Sequence, residues 1–446
     1  MDRKIGRSEG LGDPIQTSGL PIFLFKSISI ATACVLFATN ARADGAMPPW
    51  TDLDDVPLPT WATSVAPKKG DMIVFDGPSR IAARRGVTQA GARLRLFGAK
   101  RGAGCQGKWL LVGPVAWVCS DAADLSGDEP SAAGFPSGAD GLPFPYFFAG
   151  RDGANAYARL ETAGEAAPDR ELEGGWAVAI VDQRASHGER WGKTTKGQWI
   201  SMREIFPARP SLFHGDTVTN GTIDFAWVLP ERANVFAAPT MAKPTGVRVR
   251  LERVGWREEK ATPIGAMVRI SADAATSAEW MLARDLAHPS ISVPPADVGG
   301  ADTTERWIDV HLASQTLVAY EGTKPVFATL VSSGRGAPKS GSETPVGVHR
   351  VWVKIATSTM DNVERDDVGK HYSMEEVPYV QFFDKAVAIH GAYWHAGFGK
   401  VRSHGCVNVA PLDARWLFGW TSPRLPAGWA AAYPTKLEPG SAVRVR

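Results

Sequence analysis

The sequence holds only four cysteines in 446 residues, with no paired CxxC and no HExxH. It therefore lacks both the thiolate clusters of a structural zinc site and the helical histidine pair of a zinc peptidase. Net charge is scarce as well, since 49 Lys and Arg against 47 Asp and Glu leave a formal balance of +2. No basic stripe with interleaved aromatics occurs, so nothing points to nucleic acid. Counted from Leu20, the N-terminal apolar stretch approaches the ~20 residues of a membrane span, but Pro21 and Lys26 interrupt it.

What the N-terminus does have is order. Arg3, Lys4, Arg7 and Lys26 precede an apolar run over 28–38, and Ala41-Arg42-Ala43 follows. Charge, apolar core and an A-x-A site in that sequence predict a signal peptide over 1–43, cleaved after Ala43. Two alternatives stand beside it: an uncleaved membrane anchor, and a lipoprotein box at Ala31-Thr32-Ala33-Cys34 that lacks the usual leucine. All three export the protein to the periplasm or cell envelope. Loss of Cys34 with the signal leaves Cys105, Cys119 and Cys406. The first pair flanks two apolar runs, 108–112 and 117–118, that read as adjacent antiparallel strands, so a Cys105–Cys119 disulfide is expected in an oxidising compartment. Cys406 is then the odd, reactive thiol.

Cys406 stands in Ser403-His404-Gly405-Cys406-Val407-Asn408, with His390 twelve intervening residues before Ser403. A thiol needs a base or a positive field to become the attacking thiolate near neutrality, and imidazole suits that task. Gly405 lets the backbone turn tightly before Cys406, so that neighbouring N–H groups point at a developing oxyanion. The apolar run 386–389 reads as a buried strand that delivers His390 at its end. Zinc is the sharper rival, because His390, His395, His404 and Cys406 share one window, but no further ligand motif accompanies them.

This stretch resembles the catalytic signature of the L,D-transpeptidase family, the YkuD-type domain. That signature is a histidine followed after a dozen or so residues by Ser/Thr-His-Gly-Cys-hydrophobic-Asn/Arg. The flanks resemble it too: Val377-Pro378-Tyr379-Val380, Gly391-Ala392-Tyr393-Trp394-His395, Phe398-Gly399-Lys400 and Asp413-Ala414-Arg415-Trp416. Upstream, Thr344-Pro345-Val346-Gly347 is similar to the turn before a central strand of such domains. The likeness covers residues 303–446. It implies a C-terminal YkuD-type β-sandwich with short helices, no cofactor and no metal.

The preceding half repeats itself. Trp117, Trp199 and Trp280 recur at a spacing of about eighty residues, each followed by an acidic–hydrophobic pair: Asp124-Leu125, Glu204-Ile205 and Asp285-Leu286. Short alternating strands at 93–97, 176–181 and 247–251 accompany them. The pattern resembles bacterial SH3-like barrels over 70–128, 145–210 and 225–290. The expected fold class is thus mainly β, with two or three small SH3-like β-barrels before the sandwich. Such barrels imply glycan or wall contact, or a spacer with no ligand. Linkers are expected over 126–142 and 292–304.

Within 303–446, strands are expected at 307–312, 316–320, 325–332 and 348–356, a charged loop-like excursion suited to a lid at 357–376, and a helix at 411–420. The resemblance implies acyl transfer on peptidoglycan stem peptides. Cys406 is the nucleophile and His390 its base, with the Gly391 carbonyl holding the tautomer. Gly405 and Cys406 N–H groups meet the oxyanion, while Ser403, His404 and Asn408 shape the loop. Arg402 either meets a stem carboxylate or is a solvated surface charge, and Tyr393 and Trp394 either pack or contact substrate. Three outcomes share that site: transfer to a stem amine, to water as an L,D-carboxypeptidase, or to a protein lysine. A non-catalytic wall-binding protein is the remaining alternative.

Overall fold

Alternation of apolar and polar residues makes a strand wherever one face can be buried, and the described part of this chain is built almost entirely from short strands and their connections. The computed structural model of the chain describes residues 56–131, 135–240, 243–271, 278–298, 304–336, 341–364 and 371–446. The expected signal peptide, with Cys34, lies outside the described residues, as do parts of both expected linkers. Among the described residues no helix is long and apolar enough to cross a membrane.

The C-terminal part is a sandwich of two sheets. One runs in the order Asp216–Thr217, Lys324–Ser332, Thr316–Glu321, Arg306–His311, Ala442–Val445, Gly347–Arg350. The other runs Val407–Val409, Val387–Gly391, Ser373–Asp384, Val353–Asp361, Trp429–Ala432. Strand Lys324–Ser332 belongs to both, because Val331 and Ser332 at its end pair with Val409 and Asn408. Between the sheets lie Ile308, Val310, Leu317, Phe327, Val331, Ile389, Val407, Val409, Leu417 and Val443. Each such side chain, fully buried, contributes roughly 1.5–3 kcal/mol.

The helix Pro411–Trp420 covers this core with Ala414, Leu417 and Phe418. Pro411 suits its first turn, where an N–H has no intrahelical partner. Its other end is closed by Lys354, fully buried, whose ammonium donates to the carbonyls of Phe418 and of Thr421 (3.1 Å). A cation at a helix C-terminus is favourable, although burial lowers the Lys354 pKa to about 7.

Asp413, also fully buried, accepts from the Gly215 N–H (2.9 Å) and the Thr329 hydroxyl, and its Oδ1 lies 2.5 Å from His214 Nδ1. This bond holds the His214 pKa above its ordinary 6.5. A group with a raised folded pKa stabilises fully below its unfolded value and loses that contribution as pH rises through the folded one. The thermal midpoint of wild type should therefore exceed that of His214→Ala most at pH 6, and the gap should narrow by pH 9.

The expected SH3-like barrels are not formed, for no sheet of the N-terminal half closes on itself. In the first segment a ladder runs Gly98–Lys100, Trp109–Gly113, Ala116–Cys119, Ile73–Phe75, Arg84–Thr88. It does not return to its start. Instead Arg84–Thr88 pairs with Trp429–Ala432 of the sandwich, and Gly86 is the residue that admits the approach, since a Cβ there would lie 2.3 Å from the Trp429 ring. Strand Ser64–Pro67 stands in a separate sheet with Leu94–Arg95 and Ala123–Ser126. The second segment likewise lends Ala177–Ser186 to Ser373–Asp384 through a parallel bridge, Ala177 to Met374. The third falls into three small sheets. These strands run from two to ten residues, and in each of the first two segments one strand of the ladder also takes a partner in the sandwich.

The three segments still share one arrangement. Ser64–Pro67 pairs with Ala123–Ser126, Tyr146–Ala149 with Ile205–Pro207, and Phe225–Val228 with Leu286–Ala287, each joining an early strand to the acidic–hydrophobic end. Trp117, Trp199 and Trp280 are all buried in strands.

Two further expectations change. The two ends of the excursion 357–376 are ladder, because Val353–Asp361 and Ser373–Asp384 pair out to Asp361 and Ser373. Asp361 is exposed at the end of this ladder, whereas Glu375 within it is fully buried. The stretch 126–142 is docked rather than free: Phe135 meets Tyr379 edge-on at 5.9 Å, and Arg415 donates to Ser137 Oγ at 2.8 Å.

Candidate active site

Strands Val387–Gly391 and Val407–Val409 run parallel with His390 directly opposite Asn408. Cys406 precedes the second strand by one residue, so the period of two sends its side chain to the same face as that of Asn408. His390, Asn408 and Cys406 thus share one face of a paired ladder. The strands form because 387–389 and 407–409 are apolar on the opposite face, where Ile389, Val407 and Val409 fill the core.

Gly405 has φ +131, a conformation that L side chains rarely adopt, which explains glycine before the thiol. Ser403 fixes the turn twice. Its Oγ accepts from the Gly405 N–H (3.1 Å) and donates to the Cys406 carbonyl (2.5 Å). The Gly405 N–H, expected at the oxyanion, is therefore committed to Ser403. Thr344 completes the cage, donating to the Gly405 carbonyl (2.7 Å) while accepting from the Gly334 N–H (2.8 Å). The sequence displayed Thr344 only as part of a turn, since nothing local signals a bond across sixty-one positions.

Cys406 is half-buried and is the free cysteine among the described residues. Its thiol points to the Ala386 carbonyl at 3.8 Å, and burial pushes its pKa up. His390 is buried, which lowers its pKa to about 4, and its Nδ1 lies 3.3 Å from the Gly391 carbonyl. Burial thus acts on both groups in the direction of neutrality. The resting pair is thiol and imidazole, not thiolate and imidazolium.

His404 turns elsewhere. Its ring stacks on Tyr372 at 5.5 Å, and Arg335 reaches its Nε2 at 2.5 Å. A guanidinium can only donate, so that nitrogen is an acceptor. Tyr393 is fully buried, whereas Trp394 is half-buried with its ring 5.7 Å from that of His390.

His395 is a residue whose role the sequence left open. The Gly397 N–H donates to its Nδ1 (3.1 Å), so neutral His395 carries its proton on Nε2, 3.1 Å from the Asn408 amide. The pairing is satisfied with the amide oxygen toward the ring. Burial, then Arg402 and His390, lower the His395 pKa to about 4. Arg402 is exposed, and among the described residues its guanidinium has no hydrogen-bond or ion-pair partner.

Far from this face, Cys105 and Cys119 are joined in a disulfide. With Asp121 they make the one close cluster of metal-ligand atom types among the described residues, both sulfurs being bonded to each other.

Residues 305–444 match the family model described as the L,D-transpeptidase catalytic domain. Residues 305–444 are an L,D-transpeptidase catalytic domain of the YkuD type. Among solved structures, the Ldtfm–avibactam carbamoyl enzyme is 28% identical over 32% of this chain and 49% of its own, with a TM-score of 0.24. This chain thus spans about half the length of that relative. The catalytic domain of the E. faecium L,D-transpeptidase is 28% identical over 32% of this chain and 99% of its own, TM-score 0.24. LdtMt1 in complex with imipenem is 16% identical over 60% and 99%, TM-score 0.26. No curated protein matches the sequence.

Proposed function

We propose that this chain is an exported cysteine acyltransferase that forms cross-links between peptidoglycan stem peptides. The observation that carries the reading is the common face of Cys406, His390 and Asn408 within the matched domain. Cys406 gives its proton to His390 as sulfur attacks the carbonyl of the third stem residue. The tetrahedral oxyanion is met by the Cys406 N–H, and one such donor is worth roughly 3–4 kcal/mol. Collapse breaks the bond to the terminal D-alanine, whose amine takes the proton from His390. A thioester remains. An amine of another stem's third residue attacks it, His390 removes that amine's proton, and Cys406 leaves to regain the proton as thiol.

The test is incubation of the soluble form with a disaccharide-tetrapeptide and analysis of products by mass. Dimers linked through third residues, with one D-alanine released per link, are expected. Tripeptide alone means that water is the acceptor, and unchanged substrate means that the reading is wrong.

Arg402, unpaired and close enough to His395 to lower its pKa, is the group we assign to a stem carboxylate. A charge-assisted hydrogen bond is worth about 1.5–3 kcal/mol. Arg402→Ala should accordingly raise KM for a stem carrying that carboxylate by ~10-fold or more, with a much smaller effect on the amidated stem.

A further inference from the structure

Among the described residues His390 has no carboxylate partner. Its one side-chain hydrogen bond, to the carbonyl of the next residue, is long at 3.3 Å. Packing around the buried ring therefore shares in orienting it. One neighbour is Trp394, its ring 5.7 Å from that of His390, and it meets Tyr393 edge-on at 5.0 Å and 87°. Tyr393 in turn stacks on Tyr146, centroids 3.9 Å apart and planes at 22°. Tyr146 belongs to the second N-terminal segment, 247 positions earlier in the chain (393 − 146).

We propose that Tyr146 is a positioning residue for the catalytic pair, so that the second N-terminal segment is part of the active site's frame and not a detachable spacer. The inference rests on the acyl-transfer reading above. The same segment grips the neighbouring strand at several further points. Tyr146 Oη donates to the Glu376 carbonyl (2.6 Å), and Tyr393 Oη donates to that of Glu375 (2.9 Å). The buried Glu375 carboxylate is held through one oxygen by Arg170 (2.6 Å) and Lys196 (2.8 Å), both from the second segment. Ala177 bridges Met374. Glu376 sits at φ +52, a left-handed conformation that persists in a non-glycine residue only where its surroundings impose it. The aromatic and apolar cluster so formed, with Leu142, Tyr146, Ala177 and Ala179 from the N-terminal side, is the one against which Cys406 packs.

Full-length Tyr146→Ala, Tyr146→Leu and Tyr146→Phe are compared with wild type in two measurements: the rate of Cys406 acylation by a carbapenem, and the pH profile of Cys406 alkylation by iodoacetamide. Misplacing a reacting group by about 1 Å can cost on the order of 100-fold. Tyr146→Ala should lower the maximal acylation rate by ~10-fold or more with the half-saturating concentration little changed. Its alkylation profile should move toward that of His390→Ala, and Tyr146→Phe, which keeps the stack, should restore both.

In the His390→Ala background, Tyr146→Ala should cost nothing further, since the group it positions is gone. A merely structural role would add its full loss there, and that result, or a wild-type profile in Tyr146→Ala, overturns the proposal. If Tyr146→Ala does not melt cooperatively, Tyr146→Leu decides in its place. Absence of carbapenem acylation in wild type counts against the acyl-transfer reading, whereas the alkylation profiles test the positioning of His390 by themselves.

Discussion

Cys406→Ala removes acylation altogether: wild type exposed to a carbapenem gains the mass of one acyl adduct, and the variant gains none. The expectation is absolute because the bond that forms is to sulfur, and Cys406 is the free cysteine among the described residues. In a comparable nucleophile–base pair, loss of the nucleophile costs about 10⁶ in kcat. Ser403 cannot substitute, since its hydroxyl is tied to the Cys406 carbonyl within the turn. Cys406→Ser should keep the fold and bind the drug without the stable adduct, because a buried alcohol is a far weaker nucleophile than a thiol beside the same base. An adduct mapped to any other residue in Cys406→Ala would refute the assignment.

The second large effect is that of His390. Positioned general bases contribute roughly 10²–10⁴, so His390→Ala should slow acylation at pH 7 by that factor. The shape of the pH profile is the sharper test. With His390 lowered to about 4 and the thiol pushed up, the reactive neutral pair is populated across the whole range between them. Wild type should therefore show a broad plateau from about pH 5 to 8, and a rate lost only as His390 protonates in acid. His390→Ala has no base, so its rate should follow the thiolate and rise steadily with pH. A wild-type rate that instead climbs tenfold per pH unit through neutrality would exclude assistance by His390.

Burial has a further consequence for stability. His390 and His395 are both neutral in the fold at a pH where the unfolded chain protonates them. Between their ordinary 6.5 and about 4 the unfolded state binds more protons, and stability falls as pH drops through that window. This slope is opposite to that of His214, which is held charged by Asp413.

The residues proposed for the site are legible in the sequence because they are local. His390, Ser403, Gly405, Cys406 and Asn408 fall within nineteen consecutive positions, 390–408, and the turn chemistry of Gly405 is a property of one residue. The strands of the sandwich were legible for the same reason, through alternation within a few residues. What the residues could not disclose was pairing at long range. In the first two N-terminal segments Arg84–Thr88 and Ala177–Ser186 meet strands roughly 340 and 200 positions away, and no alternation pattern names a partner. Thr344 and His395 escaped for a related reason, since each acts through a hydrogen bond formed only when separate loops meet. The excursion 357–376 read as a loop because it is rich in charge, while the cross-strand pairing of its two ends leaves no local signal.

The ladder shared by Arg84–Thr88 and Trp429–Ala432 also bears on solubility. A sheet edge is a row of unpaired N–H and C=O groups that recruits any strand available, and natural proteins cover or interrupt such rows. Here the outer strand of the sandwich, with Trp429 packed against Gly86, is covered by the chain's own first segment. A fragment beginning near residue 303 bares that row together with the apolar surface under Leu142 and Tyr146. The first segment thus covers that edge, and it does so with a short, open ladder whose spare edge is the very strand that pairs with the sandwich.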